Sequence, residues 1–271
     1  AGLWALVLAS QGSTNFFHAA LVQTLVAAGL AAVFLAFLPH LSTPDEEAGF
    51  DPVATTILGA FGAVGFLVAL SGFMHGAIGA APVIMIGALV AGLAAIGAIV
   101  PPAAAVTPVA GALAAAILWI WTGDSAKPIH LSTVATLHEP VQSGLFAAFA
   151  AVSGLLVAGF GARKLASAPR LSLLAAGCYA GAAAVAPLAI LSVVYLRLAR
   201  SEASPPFALV AGVVAALFVG LAHYFRRGDG PDAEPATKLA LGAFATAALA
   251  ALALGFVFVF DKGVLTVALS I

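Results

Sequence analysis

The sequence predicts an all-α fold, a polytopic bundle of transmembrane helices with about eight complete spans and partial spans at both ends. Of its 271 residues, 63% are hydrophobic and only 8% are charged, whereas an ordinary soluble domain carries about 25% charged residues. Ten basic and eleven acidic residues cannot cover the exterior of a water-soluble domain of this length. Lipid is therefore the expected solvent for most of the chain.

Eight apolar segments reach the roughly 20 residues that a helix needs to cross a bilayer. In order, they cover about 16–38, 55–74, 81–100, 103–121, 142–162, 171–196, 206–225 and 237–260. We predict that residues 1–271 form a single transmembrane domain. The first residues lack the basic start of a signal peptide, and a short apolar run opens at Val264. We therefore expect a fragment, or the ordered part, of a longer protein.

Residues that stop helices separate these segments. Proline lacks a backbone donor, and glycine accepts turn conformations. Such residues fall at Pro39 and Pro44, 76–82, Pro101 and Pro102, Gly123, Pro169, Pro205 and Pro206, and 228–231. Because most connections are short, we expect consecutive helices to be antiparallel neighbours. Segments 143–164 and 207–227 both end in two basic residues, which indicates either a duplicated helical hairpin or a chance resemblance.

Two features of the predicted helices suggest how they pack: pairs of small residues and one proline. Gly72 with Gly76, and Gly177 with Gly181, place two small residues one turn apart on one helix face. In lipid such faces let backbones approach closely, so they indicate either ordinary helix packing or a specific dimer face. Pro187 removes a hydrogen bond in the middle of its helix, and we predict a kink there. Kinks can build transport sites, although membrane helices also tolerate proline.

The polar residues give little sign of chemistry. His130, His138 and Glu139 share one connection, but an eight-residue gap along a helix separates two histidines by ~12 Å, which is too far for one metal ion. Cys178 is the single cysteine, which excludes a cysteine-based metal cluster. We therefore predict no catalytic residue, no metal and no cofactor, and we expect the protein not to be an enzyme.

Apart from Lys238, the second residue of the last span, there is no Asp, Glu, Lys or Arg within the eight spans. Proton relays, voltage sensors and many ion-coupled carriers need such groups at membrane depth, so these classes are not expected. The mid-span polar residues are mild: Gln23, Thr24, Ser71, Ser153, Ser192 and Thr246. Residues near span ends are expected at the interface, namely His18, His75, His223, Trp4, Trp119, Trp121, Tyr195 and Tyr224.

The charges are few and scattered. The formal net charge is -1, and the basic residues occur singly or in pairs, so no nucleic-acid partner is expected. The acidic run from Asp45 to Asp51 indicates a solvated loop. Alternate connections divide the basic residues almost evenly: the smaller set is Lys127, Arg197, Arg200 and Lys262, and the larger set is Arg163, Lys164, Arg170, Arg226, Arg227 and Lys238. We lean toward a cytoplasmic position for the larger set, which places the acidic connection 39–54 on that side as well.

One motif carries a resemblance to a known family. A helix runs into Asp261-Lys262-Gly263-Val264, followed by Leu265-Thr266-Val267-Ala268, and Asp51-Pro52 leads into an earlier Gly/Ala/Leu-rich helix. This pattern resembles the large bacterial membrane proteins catalogued as domain of unknown function 2339, although Val264 stands where that family has an aromatic residue. The resemblance implies a longer, many-helix protein and brings no established activity, catalytic residue or ligand.

These observations lead to two main hypotheses for function, and to a third and least favoured class, a membrane enzyme acting at the interface through His130, His138 and Glu139. The first is a non-enzymatic scaffold or subunit of a cell-envelope membrane complex, multi-pass in the bacterial inner membrane, whose partners are membrane lipids and other membrane protein subunits. The alternative is a carrier or flippase for an apolar or lipid-like substrate. A cavity beside Pro187 lined by Gln23 or Ser192 would favour the carrier, and tight packing would favour the subunit.

Overall fold

The computed structural model describes residues 14–37, 52–74, 80–100, 103–121, 143–167, 171–200, 202–227 and 234–260. Within these ranges the regular structure consists of eight α-helices, each at the position of a predicted span. They are α1 (Thr14–Phe37), α2 (Pro52–Met74), α3 (Ala80–Ile99), α4 (Val106–Ile120), α5 (Ser143–Ser167), α6 (Leu173–Leu198), α7 (Pro205–Arg226) and α8 (Pro235–Val259). The predicted all-α helical membrane bundle is confirmed, and the partial spans predicted at both ends lie outside the described residues.

Five of these helices, α2 and α5 to α8, are long and apolar enough to cross a membrane, while α1, α3 and α4 contain shorter apolar stretches. The shortest helix is α4, with 15 residues, or roughly 22 Å of helix. Its predicted span began at residue 103, but Ala103–Ala105 form a turn after Pro101 and Pro102. Because α4 is packed against α2, α3, α5 and α6, protein rather than lipid surrounds it, and it does not need to match the full bilayer thickness.

Consecutive helices run in opposite directions, as the short connections predict. The start of α1 meets the end of α2 where Phe17 packs against Gly72, and the end of α4 meets the start of α5 where Trp121 packs against Phe146. We call the end of the bundle that contains Trp121 and the last turn of α6 the Arg197 end. The opposite end, which contains the start of α8, is the Lys238 end.

Two apolar cores lie on either side of α6. The first core is built by α1 to α5 and by four residues of α6: Ala182, Ala186, Ile190 and Val194. The second core joins the first half of α6 to α7, α8 and Leu165 near the end of α5. The buried share of the segment that could span the membrane is 56% in α6 and only 17% in α7. Helix α6 is therefore the central element, and α7 lies at the edge.

Helices α5 and α6, and helices α7 and α8, each pack together as an antiparallel pair. This arrangement is the one that a duplicated hairpin requires. The two pairs differ in burial, because α6 contributes to both cores while α8 contributes to the second core and to a small aromatic cluster at the Arg197 end. Common descent of the two hairpins stays a prediction.

Candidate functional site

Close helix contacts in the centre of the bundle include those of α6 with α4 and α5. A β-carbon added to Gly111 of α4 would lie 2.5 Å from Ala186 Cβ and 3.3 Å from Val157 Cγ1. A β-carbon on Gly161 of α5 would lie 2.7 Å from the Tyr179 carbonyl oxygen and 3.2 Å from Ala183 Cβ. Both positions therefore require glycine. We call this region, formed by Gly111, Gly161, Ala183 and Ala186, the α6 junction.

The glycines singled out in the sequence have different surroundings. A β-carbon at Gly72 would collide with the ring of Phe17, so Gly72 lies in a tight contact between α1 and α2. Gly76 lies outside the described residues. β-Carbons at Gly177 and Gly181 would meet nothing within 4 Å, so within this chain these two glycines are not at a tight helix contact. A dimer face at Gly177 and Gly181 stays a prediction.

Pro187 lies inside α6, directly after Ala186, and the helix continues through it. Proline has no N–H to donate to the carbonyl four residues earlier, which here belongs to Ala183. The predicted kink stays a prediction. Ala183 and Ala186, which precede the proline, are both in the α6 junction, so the weak point of the helix is also the point where its neighbours approach most closely.

Two of the mid-span hydroxyl groups are bonded within their own helices. Ser192 donates to the Leu188 carbonyl at 2.8 Å, and Thr24 donates to the Ala20 carbonyl at 2.8 Å. Serine and threonine often satisfy their hydroxyls in this way in apolar surroundings. Gln23 is half-buried on α1, which packs against α2 and α3 and not beside Pro187. No pair of polar side chains therefore faces Pro187 from α1 and α6 together.

A buried hydrogen bond connects α6 to the end of α3. The hydroxyl of Tyr179 donates to the Gly97 carbonyl oxygen at 2.6 Å. In a regular helix this carbonyl would accept from the N–H of residue 101, four positions later, but residue 101 is a proline and has no N–H. Tyr179 supplies the donor that Pro101 lacks. The end of α3 also lies close to the start of α4, because a β-carbon on Gly97 would lie 2.7 Å from the Thr107 backbone nitrogen.

Arg197 is the main departure from the predicted distribution of charge. It lies in the last turn of α6, where it is only 2% exposed, and its Nη2 donates to the Trp121 carbonyl at the end of α4. The last carbonyls of a helix have no partner within the helix and carry the negative end of its dipole. Arg197 therefore caps α4 electrostatically, whereas the sequence placed it among the loop residues.

Aromatic residues near the span ends are not all interfacial. Trp121 is 1% exposed and packs edge-on against Phe146, with the ring centroids 5.5 Å apart. Tyr195 is also buried, and its hydroxyl donates to the Glu202 carbonyl at 3.0 Å. The prediction of an interfacial position is wrong for these two residues. Tyr224, which is 55% exposed, fits that prediction.

The residues examined for catalysis or metal binding do not come together in the described part of the chain. His18 is half-buried on α1, and His223 is exposed at the end of α7, with its Nε2 3.4 Å from Arg227 Nη2. Cys178 is a free, half-buried thiol on α6. Among the described residues, no group of three or more His, Cys, Asp or Glu is placed to hold a metal ion. His75, His130, His138, Glu139 and the acidic run 45–51 lie outside these residues.

Comparisons with known proteins add no relative: no protein-family model, no curated protein sequence and no solved structure matches this chain significantly. The resemblance to domain of unknown function 2339 therefore stays a prediction.

The α6 junction was not foreseen from the sequence, because Gly111 and Gly161 are not part of a pair spaced by four residues. The available signal for the Tyr179 contact was Pro101, which leaves the Gly97 carbonyl in need of a donor.

Proposed function

We propose that the protein is a non-enzymatic scaffold or subunit of a membrane complex, and that it is a multi-pass protein of a bacterial inner membrane. The five helices that are long and apolar enough to cross a bilayer support a membrane location. The Ala-rich composition and the family resemblance support the bacterial assignment. The observation that carries the functional proposal is the close packing at the α6 junction.

A carrier for an apolar or lipid-like substrate has to open a path between helices, and Pro187 is where α6 is best suited to bend. At that level the Gly111 and Gly161 backbones contact Ala186 and Ala183 with no space for an added β-carbon. Interiors packed at this density resist continuous deformation. A bundle closed in this way is better suited to present a fixed outer surface than to alternate between open states.

The outer surface that best fits a partner helix belongs to α7. This helix packs mainly against α8, and Gly212, Ala216 and Gly220 follow one another at intervals of four residues on its exposed side. β-Carbons at Gly212 and Gly220 would meet nothing within 4 Å. Small residues at this spacing let a second transmembrane helix approach closely. We therefore expect a partner subunit to pack along α7.

The test is purification of the full-length protein from its native membrane in mild detergent, followed by mass spectrometry of the proteins that stay bound. We expect a stoichiometric membrane-protein partner, which is lost when Gly212→Trp is combined with Gly220→Trp. The matched control combines Gly144→Trp with Gly159→Trp on α5, where β-carbons also meet nothing within 4 Å, and it should retain the partner.

Two outcomes would count against the proposal. A protein that purifies alone with bound lipid would favour the carrier or flippase. Equal loss of the partner from both double variants would show that α7 is not the contact surface. Size-exclusion chromatography of each variant provides the check on folding; at all four positions an added β-carbon meets nothing within 4 Å.

A further inference from the structure

Most of the exposed cations in the described part of the chain lie at the Lys238 end of the bundle. Arg163 and Lys164 are in the final turns of α5, Arg226 and Arg227 end α7, and Lys238 is in the first turn of α8. All five side chains are exposed or half-exposed. We call these five residues the basic end. At the Arg197 end, the exposed Arg200 lies close in sequence to the exposed Glu202, and Arg197 is buried.

The second core brings these helix ends to one level. Leu165, which follows Lys164, belongs to the same buried cluster as Phe225, Ala236 and Ala240. The rings of Phe225 and Phe244 are stacked, with centroids 5.7 Å apart, and this contact joins the end of α7 to the first half of α8. The cations at the ends of α5 and α7 and the start of α8 therefore surround one apolar cluster.

Carboxylates neutralise this region only in part. Glu234 is the carboxylate at this end among the described residues, and the sequence adds Asp229 and Asp232 in the connection between α7 and α8. Along this part of the sequence, five cations therefore accompany three carboxylates. The end of α1 and the start of α2, which the acidic run 45–51 connects, are also at this end of the bundle, but these two helices pack in the first core rather than against α7 or α8. Local charge on α5, α7 and α8 remains positive.

Below the cations, the surface of α7 is apolar and open. Val213 is 53% exposed and Leu217 is 58% exposed, and the exposed Tyr224 lies between these residues and the terminal arginines. Tyrosine favours the boundary between headgroups and acyl chains. Arginine binds phosphate through two parallel hydrogen bonds and keeps its charge at all physiological pH values. Cations above an aromatic residue and an apolar wall match the order of groups in an anionic phospholipid.

We propose that the basic end binds the headgroups of anionic phospholipids, and that this contact fixes the Lys238 end in the leaflet that contains those lipids. Basic residues next to span ends favour the cytoplasmic side of a membrane, so we assign the Lys238 end to the cytoplasm. Arg197 belongs to the smaller set of basic residues, at the opposite end of the bundle. Its burial leaves fewer exposed cations at that end, which strengthens this orientation. The inference depends on the membrane location and not on the scaffold proposal.

The test uses the full chain reconstituted in phosphatidylcholine bilayers that contain traces of spin-labelled phosphatidylglycerol or spin-labelled phosphatidylcholine. Electron spin resonance measures the fraction of each lipid held at the protein surface. We expect a severalfold preference for phosphatidylglycerol that falls in the triple variant Arg226→Gln, Arg227→Gln, Lys238→Gln, by up to about fivefold for each cation removed. High salt should weaken the preference because it screens exposed charges.

The charge-matched control neutralises three basic residues assigned to the Arg197 end: Lys127→Gln, Arg200→Gln and Lys262→Gln. This variant should keep the preference for phosphatidylglycerol. An equal loss in both triple variants, or no preference in the unaltered protein, would overturn the proposal. A preference that emerges only after Asp45→Asn, Glu46→Gln and Glu47→Gln would also overturn it, because the acidic connection would then be the occupant of the basic end.

Discussion

At the scale of single residues, two buried hydrogen bonds connect α6 to the ends of its neighbours. Tyr179 donates to the Gly97 carbonyl that Pro101 leaves without a helical donor, and Arg197 donates to the Trp121 carbonyl at the end of α4. Each bond satisfies a carbonyl group at the end of a helix, where the helix itself offers no partner. In an apolar interior, an unsatisfied carbonyl costs more than the bond contributes when it is made.

Replacing Tyr179 with phenylalanine tests the first of these bonds. Tyr179→Phe removes the hydroxyl while retaining the ring, so the Gly97 carbonyl loses its donor. We expect the free energy of unfolding in detergent micelles to fall by about 1–2 kcal/mol. Tyr224→Phe is the matched control, because Tyr224 is 55% exposed, and it should change stability by less than about 0.5 kcal/mol. Equal effects of the two substitutions would contradict this role for Tyr179.

Replacing Arg197 tests the cap on α4. Arg197→Met keeps a long apolar side chain but removes the charged donor, and we expect a loss of about 1.5–3 kcal/mol in unfolding free energy. Arg197→Lys should recover part of this loss, because an ammonium group also donates to a carbonyl. Arg200→Met, at an exposed position three residues later, serves as the control. If Arg197→Met were as stable as this control, Arg197 would not contribute to holding α4.

At the scale of elements, the effect of a substitution in a helix depends on whether the residue faces α6. Gly159 and Gly161 lie two residues apart on α5, yet a β-carbon on Gly161 would collide with α6 while one on Gly159 would meet nothing within 4 Å. We expect Gly161→Ala to destabilise the protein by about 1–3 kcal/mol through overpacking. Gly159→Ala should be neutral or stabilising by up to about 1 kcal/mol, because alanine favours the helix.

Thermal unfolding of these two alanine variants, measured side by side in the same detergent, provides the comparison. Their difference isolates the close contact, because residue type, helix and substitution are the same. A midpoint that is equally raised in both variants would show that α5 and α6 can separate at no cost. Such a result would remove the structural basis for the α6 junction.

Within the residues that the structure describes, the sequence predicted the positions and order of the eight helices but not their rotation. Pro101 with Pro102, and Pro205 with Pro206, mark breaks that any backbone must respect. The glycine contacts could not be assigned, because these helices are apolar on all sides, and without an amphipathic pattern nothing indicates which face is buried. Gly177 and Gly161 are therefore alike in sequence, although one faces open space and the other faces α6.

Arg197 shows the same limit for charge. A basic residue at the end of a span is most simply interpreted as a loop residue in contact with water or headgroups. Its burial depends on the carbonyl of Trp121, which is 76 residues away in sequence and reaches Arg197 only after α4 and α6 have packed. Contacts of this kind follow from the tertiary arrangement and have no local signal.

At the scale of the whole molecule, α6 joins two cores into one bundle. Residues of α6 belong to both cores, and the α6 junction lies beside the proline that would permit bending. A scaffold requires the two cores to keep a fixed relation to each other. A carrier requires them to move apart and return, because alternating access depends on motion of one part of a bundle against another.

The distance between the two cores in a lipid bilayer is the most direct measurement of this difference. Spin labels at Leu67→Cys on α2 and Leu249→Cys on α8, in a Cys178→Ala background, report one position in each half of the bundle, and both side chains are exposed. Pulsed electron spin resonance in nanodiscs should give one narrow distance distribution that is the same in phosphatidylcholine and in phosphatidylglycerol. Two distances, in proportions that change with the lipid, would contradict the scaffold proposal and favour a carrier.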